Sequence, residues 1–199
     1  MRALLAVIGL VLSVAPAAGE PAPALLKQGL AAQKTGDFAA AAEALQAAAE
    51  AGNSAAQYSL GRLYRVGDGV PQDSAQALRW YRRAAEQGHA AAQYQLGVCS
   101  ELGWGLPVDG AQAETWYRRA ALQGHRGAMV YLGYLYAMGR LVERDRIRAY
   151  LWFDRAAADG FSAAREARDW LEFVMPEDEL AEARQAAQHW QPRSATGSP

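Results

Sequence analysis

Residues 55–88 read AAQYSLGRLYRVGDGVPQDSAQALRWYRRAAEQG, and the same pattern returns 36 residues later, at 91–124, as AAQYQLGVCSELGWGLPVDGAQAETWYRRAALQG. A third copy, GAMVYLGYLYAMGRLVERDRIRAYLWFDRAAADG, occupies 127–160 without an insertion. Self-similarity at one fixed period marks a repeat array. Within the first copy, Gln57, Leu60, Gly61 and Tyr64 recur at i, i+3, i+4, i+7, the face of an α-helix. The run Gly67 to Pro71 breaks it. Asp73 is placed to cap a second helix, with Gln76 three residues on and Gly88 beyond its end. Ala77, Trp80, Tyr81, Ala84 and Ala85 line one face of that second helix. Each copy is therefore a helical hairpin, and a lone hairpin cannot cover its own apolar face. The expected fold is all-α, a solenoid of stacked hairpins.

Gly61, Gly97 and Gly133 fall mid-helix, where glycine costs about 1 kcal/mol relative to alanine. The recurrence predicts close approach of the next helix to bare backbone. Ala84, Ala120 and Ala156 would allow similar approach, and Trp80, Trp116 and Trp152, with Tyr81, Tyr117 and Phe153, supply the bulk of the core.

Outward from the array, residues 1–19 (MRALLAVIGLVLSVAPAAG) have one arginine, an apolar run and small residues. That is the pattern of a secretory signal peptide, with cleavage after Ala17 or Gly19. The expected location is periplasmic or secreted, with no membrane span after cleavage. Losing Arg2 takes the formal charge from −1 to −2, which gives no electrostatic basis for binding nucleic acid. Residues 20–24 read as a Pro/Ala linker. Residues 25–52 read as a tetratricopeptide-like first hairpin, because Gly29 precedes Ala41 by 12 residues where Gly61 precedes Ala77 by 16. The full units are 53–88, 89–124 and 125–160. Residues 161–190 hold a degenerate repeat, with Arg168 and Asp169 where Leu and Gly are expected, then a capping helix placing Leu180, Ala183, Ala187 and Trp190 on one side. Residues 191–199 read as a disordered tail.

The unit formed by Ala56, Tyr58, Leu60, Gly61, Tyr64, Gly67, Gly69, Val70, Pro71, Asp73, Ala77, Trp80, Tyr81, Arg82, Ala84, Ala85 and Gly88 resembles the Sel-1-like repeat, a relative of the tetratricopeptide repeat. The second copy departs from it at Ser100 and Leu106, the third at Val130, Leu141 and Glu143. The resemblance implies a right-handed α/α superhelix that binds a protein or peptide along its concave face. Many bacterial members are exported adaptors, which points to a partner in the cell envelope. On the first helices, the row beside the packing row comprises Tyr58, Arg62 and Arg65, then Tyr94, Val98 and Glu101, then Val130, Tyr134 and Ala137. Tyr58, Arg62, Arg65, Tyr94, Glu101 and Tyr134 are the candidate partner-binding residues. Packing between neighbouring units is the competing role for the two tyrosines. Arg82, Arg83, Arg118 and Arg119 form a second row on the outer helices, read as a solvated face.

Chemistry-bearing clusters are sparse. Cys99 is the single cysteine, so no internal disulfide can form. Some exported members of the resembled family are cysteine-rich and linked to penicillin binding and β-lactam hydrolysis, which makes a β-lactam-binding enzyme the alternative. Against it, the chain carries no S-x-x-K and no G-x-S-x-G, and its lysines are Lys27 and Lys34. His89 and His125 sit one period apart, each just after a glycine, as loop positions with no metal-ligand spacing. The expectation is a non-catalytic scaffold without metal or cofactor.

Overall fold

The computed structural model describes residues 21–189, and among them it contains ten helices and no strand. The proposed signal peptide and tail lie outside these residues. The helices run α1 (Ala22–Thr35), α2 (Phe38–Glu50), α3 (Ser54–Val66), α4 (Ser74–Glu86), α5 (Ala90–Leu102), α6 (Gly110–Leu122), α7 (Arg126–Met138), α8 (Arg146–Ala158), α9 (Ser162–Val174) and α10 (Glu177–His189). Each packs on its sequence neighbours through α9, so the chain is an α/α solenoid. The last helix breaks the order by packing against α8.

Boundaries follow from backbone chemistry. Every second helix of the full units starts at an aspartate whose carboxylate accepts an N–H three residues on: Asp73 from Gln76 (3.0 Å), Asp109 from Gln112 (3.0 Å), Asp145 from Arg148 (2.8 Å). First helices stop at Gly67, Gly103 and Gly139, whose φ of 91°, 71° and 61° an L side chain rarely adopts. The segment read as a linker is corrected: α1 begins at Ala22, so residues 22–24 of it are helical. Pro21 stands at its N-cap and Pro23 within its first turn, where a missing N–H leaves no helical bond unmade. The first hairpin therefore begins at Ala22, three residues before the expected start.

The mid-helix glycines make room for a ring. A Cβ on Gly61 would stand 2.8 Å from the Tyr81 ring, on Gly97 2.5 Å from Tyr117, and on Gly133 2.5 Å from Phe153. Gly29 stands in the same relation to Leu45, at 2.6 Å. The next helix thus does approach bare backbone at each glycine, and what it brings there is a large side chain of the same hairpin's second helix. Where Leu141 replaces the second loop glycine, its carbonyl crosses Gly110, which has no side chain to obstruct it.

Between units, buried glutamines take over. Gln57 Nε2 donates to the Ala49 carbonyl (3.0 Å), and Gln87 Nε2 donates to Gln57 Oε1 (2.7 Å). One period later Gln93 reaches the Ala85 carbonyl (3.1 Å) and receives Gln123 (2.7 Å). The C-terminal end is closed by charge as well as by apolar packing. Arg168, in a leucine's place, bonds Asp154 at 2.9 Å, and Arg146 on α8 bonds Glu179 on α10 at 3.1 Å. Ala183 is buried, with Leu180 and Ala187 packed against the same core.

The three tryptophans are not equivalent. Trp80 and Trp152 are buried, whereas Trp116 is half-exposed beneath the Arg119 guanidinium, 4.8 Å from its ring. Its place in the core is corrected accordingly. Trp80→Ala should destabilise the array by about 3–5 kcal/mol in denaturant unfolding, and Trp116→Ala by clearly less. Equal losses would contradict this packing.

Candidate functional site

The first helices α3, α5, α7 and α9 build the face on which the candidate residues lie. The two tyrosines belong mainly to packing. Tyr58 stacks on His89 with ring centroids 4.9 Å apart, and Tyr94 on His125 at 4.7 Å. Tyr94 also meets Tyr131 edge-on at 5.6 Å and lies 5.9 Å from Tyr117. The tyrosines are half-buried, and burial pushes the Tyr94 phenol well above its ordinary range.

The histidines of this ladder cap helices. His89 Nδ1 accepts the Ala92 N–H at 3.3 Å, and His125 Nδ1 accepts the Ala128 N–H at 3.1 Å. Asn53 does the same for α3, accepting from Ala56 at 2.9 Å. Spacing alone marks these histidines as loop positions and misses the cap, because His is not among the favoured capping residues. Each cap needs a neutral ring with its proton on Nε2.

Arg65, Glu101 and Ala137 occupy one register and behave as partners of the ring behind them. Burial pushes the Tyr81 phenol up to about 12, opposed by the neighbouring Arg65 guanidinium. Tyr117 donates its hydroxyl hydrogen bond to Glu101. In the third unit Phe153 has no hydroxyl, and the position beside it is Ala137. Glu101 is therefore committed in part to structure, whereas Arg65 is exposed.

Arg62 and Tyr134 line two clefts at equivalent places two periods apart. Arg62 shares a cleft of about 360 Å³ with Leu30, Lys34, Phe38, Val66 and Asp68. Tyr134 shares one of about 400 Å³ with Glu101, Leu102, Val108, Met138 and Arg140. The row that sequence reasoning missed runs one turn on from these residues. Val66, Leu102, Met138 and Val174 fall at the same register of four successive first helices and are 50, 70, 51 and 39% exposed. Trp170, the counterpart of Arg62 and Tyr134 on α9, is 45% exposed. The signal was present as an apolar residue just before each loop, where it reads as the last core position of the helix.

No group of side chains among the described residues is arranged to hold a metal ion. Cys99 is buried, and burial pushes its thiol up to about 11. None of the described helices is long and apolar enough to cross a membrane.

Against known proteins, the family description "Sel1 repeat" matches residues 54–89, 90–125 and 127–161. Among solved structures, the chain is similar to a Sel1 repeat protein from Oxalobacter formigenes, with 38% identity and a TM-score of 0.59 over 63% of this chain and 94% of that one. It is also similar to a protective antigen present in uropathogenic Escherichia coli strains that displays an SLR fold, with 30% identity and a TM-score of 0.54. That match covers 85% of this chain but 45% of the antigen. No curated protein matches.

The capping histidines make stability depend on pH. Burial holds both below their ordinary value. A depressed folded-state value means stabilisation is fully present above the unfolded value of about 6.5 and is lost as pH falls through the folded value. The melting temperature should therefore drop between pH 7.5 and 5. In His89→Asn with His125→Asn, which restores the cap used at Asn53, that drop should shrink. An unchanged pH profile in the double variant would place the titration elsewhere.

Proposed function

The chain belongs to the Sel1 repeat family, and on that premise we propose that it is an exported, non-catalytic scaffold binding a protein or peptide partner along the face of its first helices. Members of this family are typically protein-interaction scaffolds. One observation carries the choice of face: the exposed apolar row Val66, Leu102, Met138 and Val174. A side chain with no packing role gains nothing from being apolar in water. Covering such a patch returns about 25 cal/mol per Å² of apolar surface removed from solvent.

Arg62, Tyr134 and Trp170 stand one turn back along the same helices and provide the anchoring side-chain types that dominate interface energies. The surface is held by rigid units, so a partner meets it pre-ordered. Residues 1–19, with Arg2 ahead of an apolar run and small residues after it, support export to the periplasm or beyond. A partner in the cell envelope follows from that reading. The single buried thiol gives no support to the cysteine-rich β-lactam branch.

A photo-crosslinking residue placed at Leu102 in the full chain should capture a defined partner from envelope extract, and one placed at Arg118 on α6 should not. Leu102→Glu with Met138→Glu should leave the melting temperature unchanged and weaken capture at least tenfold, about 1.4 kcal/mol or more. Capture from Arg118 alone would move the binding face to the outer helices. Mass measurement of the exported protein should find residues 1–17 or 1–19 removed; an intact amino terminus would defeat the export reading.

A further inference from the structure

The outer side of the solenoid carries a second, chemically different feature, independent of the scaffold reading. Where α4 meets the loop of the next unit, a notch of about 350 Å³ is lined by Arg79, Arg82 and Arg83, with Glu86 as its single acid. Gly105 closes the notch on the loop side, so close to α4 that a Cβ there would stand 2.8 Å from Leu78. We infer that this notch binds a phosphoryl group, carried by a soluble phosphate ester or by a lipid headgroup.

All three arginines are exposed, and two of the guanidinium groups rest on a buried ring. Arg79 and Arg83 lie over the Trp80 ring, with Cζ 5.6 and 4.8 Å from its centroid, and Trp80 is itself buried. Stacking orients a guanidinium while leaving its in-plane N–H groups free for paired bonds to oxygen. Arg79 gives one such bond to Gln76 (2.6 Å). Among the described residues none of the three forms an ion pair with a carboxylate. Three positive groups against Glu86 leave a local surplus of charge in a chain whose formal net charge is −1.

The repeat supplies its own control. One period earlier the positions of Arg79, Arg82, Arg83 and Glu86 hold Glu43, Gln46, Ala47 and Glu50. One period later they hold Thr115, Arg118, Arg119 and Leu122, and there Arg118 is tied to Glu114. The fold is indifferent to charge at this register, so packing does not require the cluster. A phosphoryl dianion matches forked donors arriving from several sides, each able to take two oxygens. Leu78 and Leu106 line the apolar part of the notch, where the organic portion of an ester would rest. One period on, Thr115 replaces Arg79 and Arg118 is paired, so the three-arginine cluster belongs to this notch alone among the full units, which fits a single anionic group better than an extended polyanion.

Titration calorimetry on the full chain, with inorganic phosphate and with glycerol 3-phosphate, tests the soluble source. Flotation with vesicles of phosphatidylcholine, with and without phosphatidic acid, tests the headgroup. Saturable binding in either arm, weakened at least tenfold by Arg79→Gln with Arg82→Gln and unaffected by Arg118→Gln, is the expected result; the arm that responds identifies the source. The variant retains Arg83 over Trp80, and an unchanged melting temperature shows that it is folded. No saturable binding in either arm, or binding that survives the double variant, overturns the proposal. Neither outcome bears on partner capture by the first helices.

Discussion

At the centre of each hairpin a glycine on the first helix admits a large side chain from the second, and the rest of the array depends on that contact. Gly61 meets Tyr81, Gly97 meets Tyr117, Gly133 meets Phe153, and Gly29 meets Leu45. With a Cβ in any of these places the helices would have to separate by enough to clear a ring or an isobutyl group. The cost of glycine within a helix, about 1 kcal/mol, is offset by complete burial of the four partners. Helix separation in turn fixes where the ends of each first helix stand, and so where the loops cross to the next unit.

Polar positions around this contact change together. Buried Gln57 and Gln93 join successive units by reaching the Ala49 and Ala85 carbonyls of the unit before, and each accepts a bond from a glutamine of its own unit, Gln87 or Gln123. In the third unit both members are replaced, by Met129 and Asp159, and Met129 is simply buried in the apolar core. The hydroxyl of Tyr117 has Glu101, while Phe153 has Ala137. Losing one partner alone would strand a buried polar group, at a cost of about 1–3 kcal/mol. Joint replacement avoids that cost, which is how one backbone carries units of different polarity.

Positions outside these constraints are free to serve other ends, and they divide by face. On the first helices the free positions became apolar or anchoring: Val66, Leu102 and Met138, with Arg62 and Tyr134 beside them. On the outer helices they became charged, acidic beside α2 and basic beside α4. The two faces do not share residues, so the proposed partner and the proposed anionic group would not compete for the same side chains. The N-capping histidines sit at the starts of the helices that build the first face, so protonating them would weaken the helices beneath it.

The sequence by itself determined the period, the hairpins, the aspartate caps and the class of fold, because each is a local consequence of spacing and capping chemistry. It also identified Arg62 and Tyr134 as standing beside the packing row. It did not tell that Tyr58 and Tyr94 stack on His89 and His125, since a tyrosine at helical spacing reads alike whether it faces solvent or a ring from the next unit. Nor did it separate Trp80 from Trp116, which hold the same register in nearly the same words. Only the packed array decided those points, together with the exposure of Leu102 and Met138 and the notch over α4. Burial is set by what a neighbouring unit covers, and that geometry is a property of the stack rather than of any single repeat.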